Sequence, residues 1–131
     1  MIGNLSTAPL SNGGFGMAQP SKSTNSVGYV SVARDFSRFP GPRFIRQGEF
    51  SGEAFRKVLV RALEQFDTVE VDLDGTTGMG SSFIAEAFGG LISRAGFPRS
   101  EIQRRVTVRS NDDESYVLQF NDAVAHAVPA E

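Results

Sequence analysis

Two groups of side chains in the middle of the chain have types and spacings that could do chemistry. Asp72 and Asp74 lie on one side of a predicted strand and precede Gly-Thr, a pattern that can be read as a phosphatase nucleophile motif. Ser81 and Ser82 follow a Gly-rich turn at the predicted start of a helix, where a hydroxyl group can cap the helix or carry a phosphoryl group. The first group predicts an enzyme, whereas the second predicts a regulatory switch.

Amino-acid composition limits what these groups can belong to. The chain has 131 residues, of which 40% are hydrophobic and 11 are Phe, so it fits one domain with a substantial core. It has no Cys and one His, His126, which excludes disulfides, thiolate catalysis and Cys-based zinc sites. No apolar run approaches the length of a membrane span, and the N-terminus lacks the pattern of a signal peptide. We therefore expect a cytoplasmic protein with no membrane contact, no cofactor and no metal.

Charged residues are segregated along the chain. Residues 34–61 hold seven basic and three acidic side chains, and residues 94–109 hold five and one. Residues 64–74 and 111–131 each hold five acidic side chains and no Lys or Arg. Only two of the 13 basic residues are Lys, so the pattern is either ordinary surface charge or an Arg-bearing face that meets an acidic partner or a phosphate. Nucleic acid is not an expected partner, because the chain is slightly acidic and no basic run is interleaved with aromatic residues.

The first 27 residues differ in composition from the rest. They are rich in Ser, Gly, Asn, Thr and Pro, and their only charged side chain is Lys22. Such a segment buries too little apolar surface to offset the entropy of ordering it. We predict a disordered tail over residues 1–27 and a domain over residues 28–131.

Periodicity within this domain predicts four strands and three helices. Alternating or β-branched runs predict the strands, at residues 28–33, 43–47, 68–73 and 105–109. Each predicted helix has an apolar stripe and a capping signal: Ser51 for the first, Ser81 or Ser82 for the second over residues 81–94, and Asn111 with Glu114 for the third. The order β-β-α-β-α-β-α predicts an α/β fold with a mixed, mainly parallel sheet of about four strands and three helices against it.

Several motifs within these elements resemble those of a known family. They are Asp35-Phe36, Pro40-Gly41, Gly48 with Ser51-Gly-Glu53, Val71-Asp-Leu-Asp-Gly-Thr76, Ser81-Ser-Phe83 and Glu86-Ala-Phe-Gly-Gly-Leu91. Over residues 28–127 the chain resembles the STAS-like family of unknown function, which is related to the sulfate-transporter and anti-sigma-factor-antagonist (STAS) domains. The resemblance implies a STAS-like α/β fold and a non-enzymatic module that regulates through protein–protein contact.

The resemblance to anti-sigma-factor antagonists also implies a switch at the strand–turn–helix junction. Those bacterial signalling proteins carry Asp-Ser-Ser-Gly there, and a kinase with a histidine-kinase-like ATPase fold phosphorylates a serine. Ser81 and Ser82 match the two serines, while Gly80 stands at the position of the Asp and Phe83 at that of the Gly. The implied partner is therefore a histidine-kinase-like ATPase or another serine kinase. We expect the Ser81 hydroxyl to be exposed and Ser82 to be less reachable.

Glycine residues around this junction raise two further expectations. Gly75, Gly78 and Gly80 are expected to let the turn that contains Asp74, Gly75 and Thr76 bend tightly. Gly89 and Gly90 lie inside the predicted helix, where two glycines cost about 2 kcal/mol relative to two alanines. They indicate either close packing against another element or a flat docking face with Glu86 as its polar anchor.

The alternative function is a Mg²⁺-dependent phosphatase of the haloacid-dehalogenase type. In that family a strand ends in Asp-x-Asp-Gly-Thr, which would make Asp72 the nucleophile and Asp74 the proton-transfer group, with Asn111-Asp-Asp113 as the acidic metal-binding motif. That chemistry also uses a downstream Lys, but both lysines of this chain precede the motif. Only 55 residues follow Thr76, too few for the rest of such a fold. We therefore expect no enzymatic activity.

Overall fold

Three parallel strands form the sheet within residues 26–130, the part of the chain that the computed structural model describes. They are β1 (Val27–Ser31), β2 (Thr68–Asp72) and β3 (Val106–Arg109), with β2 in the middle. The helices of this part are α1 (Val32–Asp35), α2 (Gly52–Gln65), α3 (Ser81–Ile84), α4 (Gly90–Ser93), α5 (Arg99–Arg105) and α6 (Ser115–His126). A π-helical turn, Ala85–Gly89, joins α3 to α4 without a break. We call the continuous helix of residues 81–93 the junction helix.

The two faces of the sheet have different environments. Val69 and Val71 of β2 are fully buried, whereas Glu70 and Asp72 at the alternate positions are only half-buried. Successive side chains of a strand point to opposite faces, so one face of the sheet packs against the helices and the other is polar. Tyr29 of β1 lies level with Glu70 and is 68% exposed. The core therefore lies on one side of the sheet and includes apolar residues from α2, the junction helix, α5 and α6.

The predicted second strand is wrong, and this error explains the difference in strand number. Residues 45–47 form a 3-10 turn, Ile45–Gln47, rather than part of a strand. The N–H group of Ile45 donates to the Glu53 side chain (2.9 Å), and the carbonyl oxygen of Arg43 accepts from the N–H group of Glu53 (2.9 Å). Because these backbone groups find their partners in the first turn of α2, they are not available to a sheet. Within residues 26–130 the sheet is three-stranded and parallel rather than mixed and four-stranded.

The predicted helix starts are partly confirmed. Ser51 caps α2, because its hydroxyl oxygen accepts from the N–H group of Ala54 at 3.0 Å. The capping box of Asn111 and Glu114 is wrong: α6 begins at Ser115, whose N–H group donates to the carboxylate of Asp113 (2.9 Å).

Of the helices in residues 26–130, none has both the length and the apolar character that a membrane crossing requires.

Helix α5 was not predicted, and a tertiary contact fixes its C-terminal end. Arg105 at its end is buried, and its guanidinium donates to the carbonyl oxygens of Leu63 (2.6 Å), Phe66 (3.0 Å) and Asp67 (2.7 Å). These carbonyl groups lie at the end of α2, where a helix leaves its last acceptors unsatisfied. Glu101 neutralises Arg105 from one turn earlier in α5, at 2.6 Å.

The predicted N-terminal tail lies almost entirely outside the described residues. Of residues 1–27, only Ser26 and Val27 are described. The carbonyl oxygen of Ser26 accepts from the N–H group of Thr68 (3.0 Å), and Val27 begins β1. Ser26 and Val27, which the prediction assigned to the tail, therefore take part in the sheet region.

Candidate functional site

The turn after β2 is held in place by Asp74. Its carboxylate accepts hydrogen bonds from the N–H groups of Asp112 (2.8 Å) and Asn111 (2.8 Å) and from the hydroxyl group of Ser110 (3.0 Å). The two backbone hydrogen bonds are the main reason why the pKa of Asp74 lies below its ordinary value. The N–H group of Gly75 donates in turn to the carboxylate of Asp112 (3.1 Å). Asp74 thus ties this turn to the loop that precedes α6.

Two of the three glycines in the turn adopt the conformation that favours glycine. Gly75 has φ of +87° and Gly78 has φ of +73°. Between them, the hydroxyl group of Thr76 donates to the carbonyl oxygen of Leu73 at 3.2 Å. Gly80 is extended, with φ of −92°, and a Cβ atom there would meet no atom within 4 Å. The expectation that Gly80 helps the turn to bend is therefore wrong.

The junction helix begins with its two serines inside the first turn. Gly80 is the N-cap residue, so Ser81 and Ser82 do not cap the helix as predicted, because a capping residue must lie outside the helix in an extended conformation. Ser81 is exposed and Ser82 is half-buried. The first-turn N–H groups of Ser81, Ser82 and Phe83 have no hydrogen-bond acceptor among residues 26–130. This end of the helix thus presents one exposed hydroxyl group beside unpaired donors and the positive end of the helix dipole.

The centre of the junction helix carries a buried carboxylate between arginines. Glu86 lies in the π-helical turn and its side chain is 4% exposed. Its Oε2 atom accepts from Nη1 of Arg56 and from Nε of Arg94, both at 2.6 Å. Arg43 approaches the other carboxylate oxygen, with Nη1 at 3.9 Å from Oε1. We call Glu86 and these three arginines the Glu86 cluster.

Gly89 and Gly90 allow neighbouring groups to approach this helix closely. A Cβ atom on Gly89 would lie 3.1 Å from the carbonyl oxygen of Ala123 in α6, and one on Gly90 would lie 2.7 Å from Nη1 of Arg56. Both glycines are buried, which favours close packing over a flat docking face. The structure instead forms a groove of about 300 Å³ between the junction helix and α6. We call it the arginine groove; its lining includes Arg43, Glu86, Gly89, Arg94, Asp122 and His126.

The residues of the phosphatase motif have structural partners. Asp72 accepts from the N–H group of Asp74 (2.9 Å) and pairs with Arg109 (3.3 Å). Asp74 binds the loop before α6, and its lowered pKa opposes a role in proton transfer near neutral pH. In the part of the chain that the structure describes, no three or more His, Cys, Asp or Glu side chains are grouped so that they could hold a metal ion. In Asn111-Asp-Asp113, the first two residues bind Asp74 through their N–H groups and the third binds Ser115.

Three functional candidates, Arg43, Arg56 and Arg94, could not be identified as single residues from the sequence. They come from the loop before α2, from α2 itself and from the end of the junction helix. The available signal was coarse: Arg predominates among the basic residues of two segments that each carry excess positive charge. Their convergence on Glu86 depends on how α2 packs against the junction helix.

Comparison with known proteins identifies one family. No curated protein and no solved structure matches this chain significantly. The family model of the STAS-like domain of unknown function matches residues 51–116, which include α2, β2, the junction helix and β3. This match covers half of the chain, as well as the strand–turn–helix junction and three members of the Glu86 cluster. The chain therefore belongs to the STAS-like family of unknown function.

Proposed function

We propose that this protein is a non-enzymatic regulatory module that works through protein–protein contact at the start of the junction helix. Membership of the STAS-like family suggests a regulatory module, and such domains generally mediate protein interactions. The observation that carries the proposal is the exposed Ser81 hydroxyl, which lies beside unpaired N–H groups on a helix otherwise fixed in the core. A contact surface needs accessible groups in a fixed position, and this helix end has both.

Phosphorylation of Ser81 is the regulatory step in this proposal. A phosphate on Ser81 would add about two negative charges at neutral pH at the positive end of the helix. It would also occupy the space that a partner needs, so the folded domain would be preserved while the complex would weaken. Ser82 is the poorer substrate because it is half-buried. The partner is a histidine-kinase-like ATPase or another serine kinase, as in the anti-sigma-factor antagonists that the junction resembles.

The turn before the helix supports this role by fixing the position of Ser81. The carboxylate of Asp74 and the N–H group of Gly75 bind the loop before α6, while the N–H group of Thr77 donates to the carbonyl oxygen of Arg38 (2.8 Å). After the turn, the buried side chains of Phe83 and Ile84 anchor the first turn of the helix in the core. The hydroxyl group is therefore exposed on a rigid support rather than on a free loop.

The Ser81→Asp variant tests the proposal. A carboxylate in the first turn should keep the domain folded and raise the free energy of unfolding by about 0.5 kcal/mol. Binding of the partner isolated by pull-down from native cells should weaken by about tenfold or more, measured by titration calorimetry. The matched control is Ser100→Asp, because Ser100 is also exposed in the first turn of a helix, α5, but lies outside the junction. Equal affinity of wild type and a folded Ser81→Asp variant would remove the junction from the contact surface.

A further inference from the structure

The Glu86 cluster contains more positive charge than its carboxylate can neutralise. Arg56 and Arg94 both contact Oε2 of Glu86, and Arg43 lies 3.9 Å from Oε1. These three cations have no other carboxylate within 4 Å among residues 26–130. Three positive charges around one negative charge leave a surplus of two, and guanidinium groups held this close repel one another. A second anion beside the cluster would relieve that repulsion.

The surplus charge lies at the surface, where a ligand can reach it. The side chain of Arg56 is only 11% exposed. Within the cluster it donates to the carboxylate and to the carbonyl oxygen of Glu86. The side chains of Arg43 and Arg94 are 42% and 52% exposed, and both line the arginine groove. Thus Arg56 neutralises Glu86 from the interior, while Arg43 and Arg94 face the groove.

Most hydrogen-bond donors of these two arginines are unused. Arg94 donates to Glu86 through Nε, and its Nη atoms have no hydrogen-bond acceptor in the described part of the chain. The guanidinium of Arg43 makes no hydrogen bond to any residue of the range 26–130. The ring of Phe44 lies 5.5 Å from the guanidinium carbon of Arg94 and helps to hold it in place. Arginine side chains with free, oriented donors are suited to bidentate recognition of carboxylate and phosphate groups.

The backbone around Glu86 is also of a type enriched at functional sites. Glu86 lies in the π-helical turn Ala85–Gly89, in which the N–H group of Gly90 reaches back to the carbonyl oxygen of Ala85. Such turns are rare and often occur where a helix carries a functional group. The absence of a side chain at Gly90 leaves room for Arg56 to reach Glu86. The helix distortion and the glycine together fix the carboxylate that positions the arginines.

We propose that the arginine groove binds an oxyanion, a carboxylate or phosphate group, between Arg43 and Arg94. Glu86 is then a positioning residue, which holds Arg94 and attracts Arg43 without neutralising both. The opposite wall carries Asp122, which pairs with His126 at 3.1 Å, so the anion sits on the arginine side of the groove. This site differs from the Ser81 surface, because Ser81 does not line the groove. Glu86 follows Ser81 by five residues, or about 7.5 Å along the helix at about 1.5 Å each.

The test is an NMR titration of the isotope-labelled full chain with inorganic phosphate and, separately, with acetate, at constant ionic strength. Saturable shifts of the Arg94 Nε–Hε signal and of the Gly89 and Ser93 amide signals are expected. In Arg43→Gln the dissociation constant should rise by about tenfold. This variant loses only a 3.9 Å contact with Glu86, so its fold should be retained. Arg61→Gln is the matched control, because Arg61 is exposed on α2 and does not line the groove.

The outcomes separate the two ligand chemistries and can overturn the site. Tighter binding of phosphate than of acetate would support a phosphate-bearing ligand, and the reverse order would support a carboxylate ligand. Shifts that grow linearly without saturation for both anions would overturn the proposal. Saturable binding that is unchanged in a folded Arg43→Gln variant would overturn it as well, since the anion would then bind elsewhere.

Discussion

The first turn of the junction helix, residues 81–84, and its central turn, residues 85–89, each adjoin a glycine, but their surroundings differ. At the first turn, Ser81 is exposed, and a Cβ atom on Gly80 would meet no atom within 4 Å. At the central turn, Glu86 is buried between arginines, and a Cβ atom on Gly90 would collide with Arg56. A glycine therefore indicates open space at one turn and close packing at the other.

This difference shows which contacts hold each turn in place. The central turn is fixed by contacts that cross between elements: Arg56 of α2 binds Glu86, and Ala123 of α6 packs on Gly89. The first turn is held by its own buried apolar side chains, which pack in the core. It is also held by the preceding turn, because Asp74 binds that turn to the loop before α6. Substitutions should therefore be costly at the centre and mild at the start.

Removal of the buried carboxylate should have the largest effect. Glu86→Gln would leave Arg56, 11% exposed, without a counter-charge, and we expect the free energy of unfolding to fall by about 4 kcal/mol. The measurement is chemical denaturation followed by circular dichroism. Glu64→Gln is the control with the same charge change on the exposed side of α2, and it should cost less than about 0.5 kcal/mol. Equal effects of the two substitutions would show that the Glu86 cluster does not stabilise the centre.

A glycine comparison should give the next largest effect. In Gly52→Ala the new Cβ atom would lie 2.6 Å from the carbonyl oxygen of Phe83 and 3.0 Å from Cβ of Glu86. Because backbone cannot move aside as a flexible side chain can, we expect a loss of about 2 to 3 kcal/mol in unfolding free energy. Gly80→Ala, the same change at the open turn, should cost less than about 1 kcal/mol. If Gly80→Ala proved the more costly in thermal and denaturant unfolding, the difference between the close contact at Gly52 and the open space at Gly80 would be refuted.

The smallest effect is expected at Asp74, and it should depend on pH. The pKa of Asp74 is lowered in the folded state, so its contribution is present above the unfolded value near 3.8 and is lost as the pH falls through the folded value. Asp74→Asn should therefore cost about 1 kcal/mol at neutral pH, and its difference from wild type should shrink in strong acid. Denaturation of both proteins across this pH range is the measurement. Asp67→Asn is the control, because the Asp67 carboxylate makes no hydrogen bond or ion pair within residues 26–130. A constant difference at every pH would show that the Asp74 charge does not stabilise the turn.

Local sequence patterns determined much of the fold and the position of the junction. The alternation along residues 69–73 predicted a half-buried strand, the Ser51 signal predicted the start of α2, and the motifs from Val71 to Leu91 pointed to the STAS-like family. These features are readable because side-chain alternation, helix capping and turn glycines depend on residues close together in the chain. The exposure of Ser81 also follows from a local pattern, because Phe83 and Ile84 occupy the buried side of the first turn.

Only the tertiary structure decided the remaining features. Residues 43–47 fail to form a strand because their backbone groups bind α2, and α5 ends where Arg105 reaches the last carbonyl groups of α2. The sequence left open whether Glu86 anchors a docking face, and packing encloses it between arginines from the loop before α2, from α2 and from the end of the junction helix. A charged side chain has no periodic signature that reveals its partner, because its energy depends on distances to residues far away in the chain. The sequence thus located the helix, whereas the packing of α2 and α6 on it decided which of its groups are buried and which line the arginine groove.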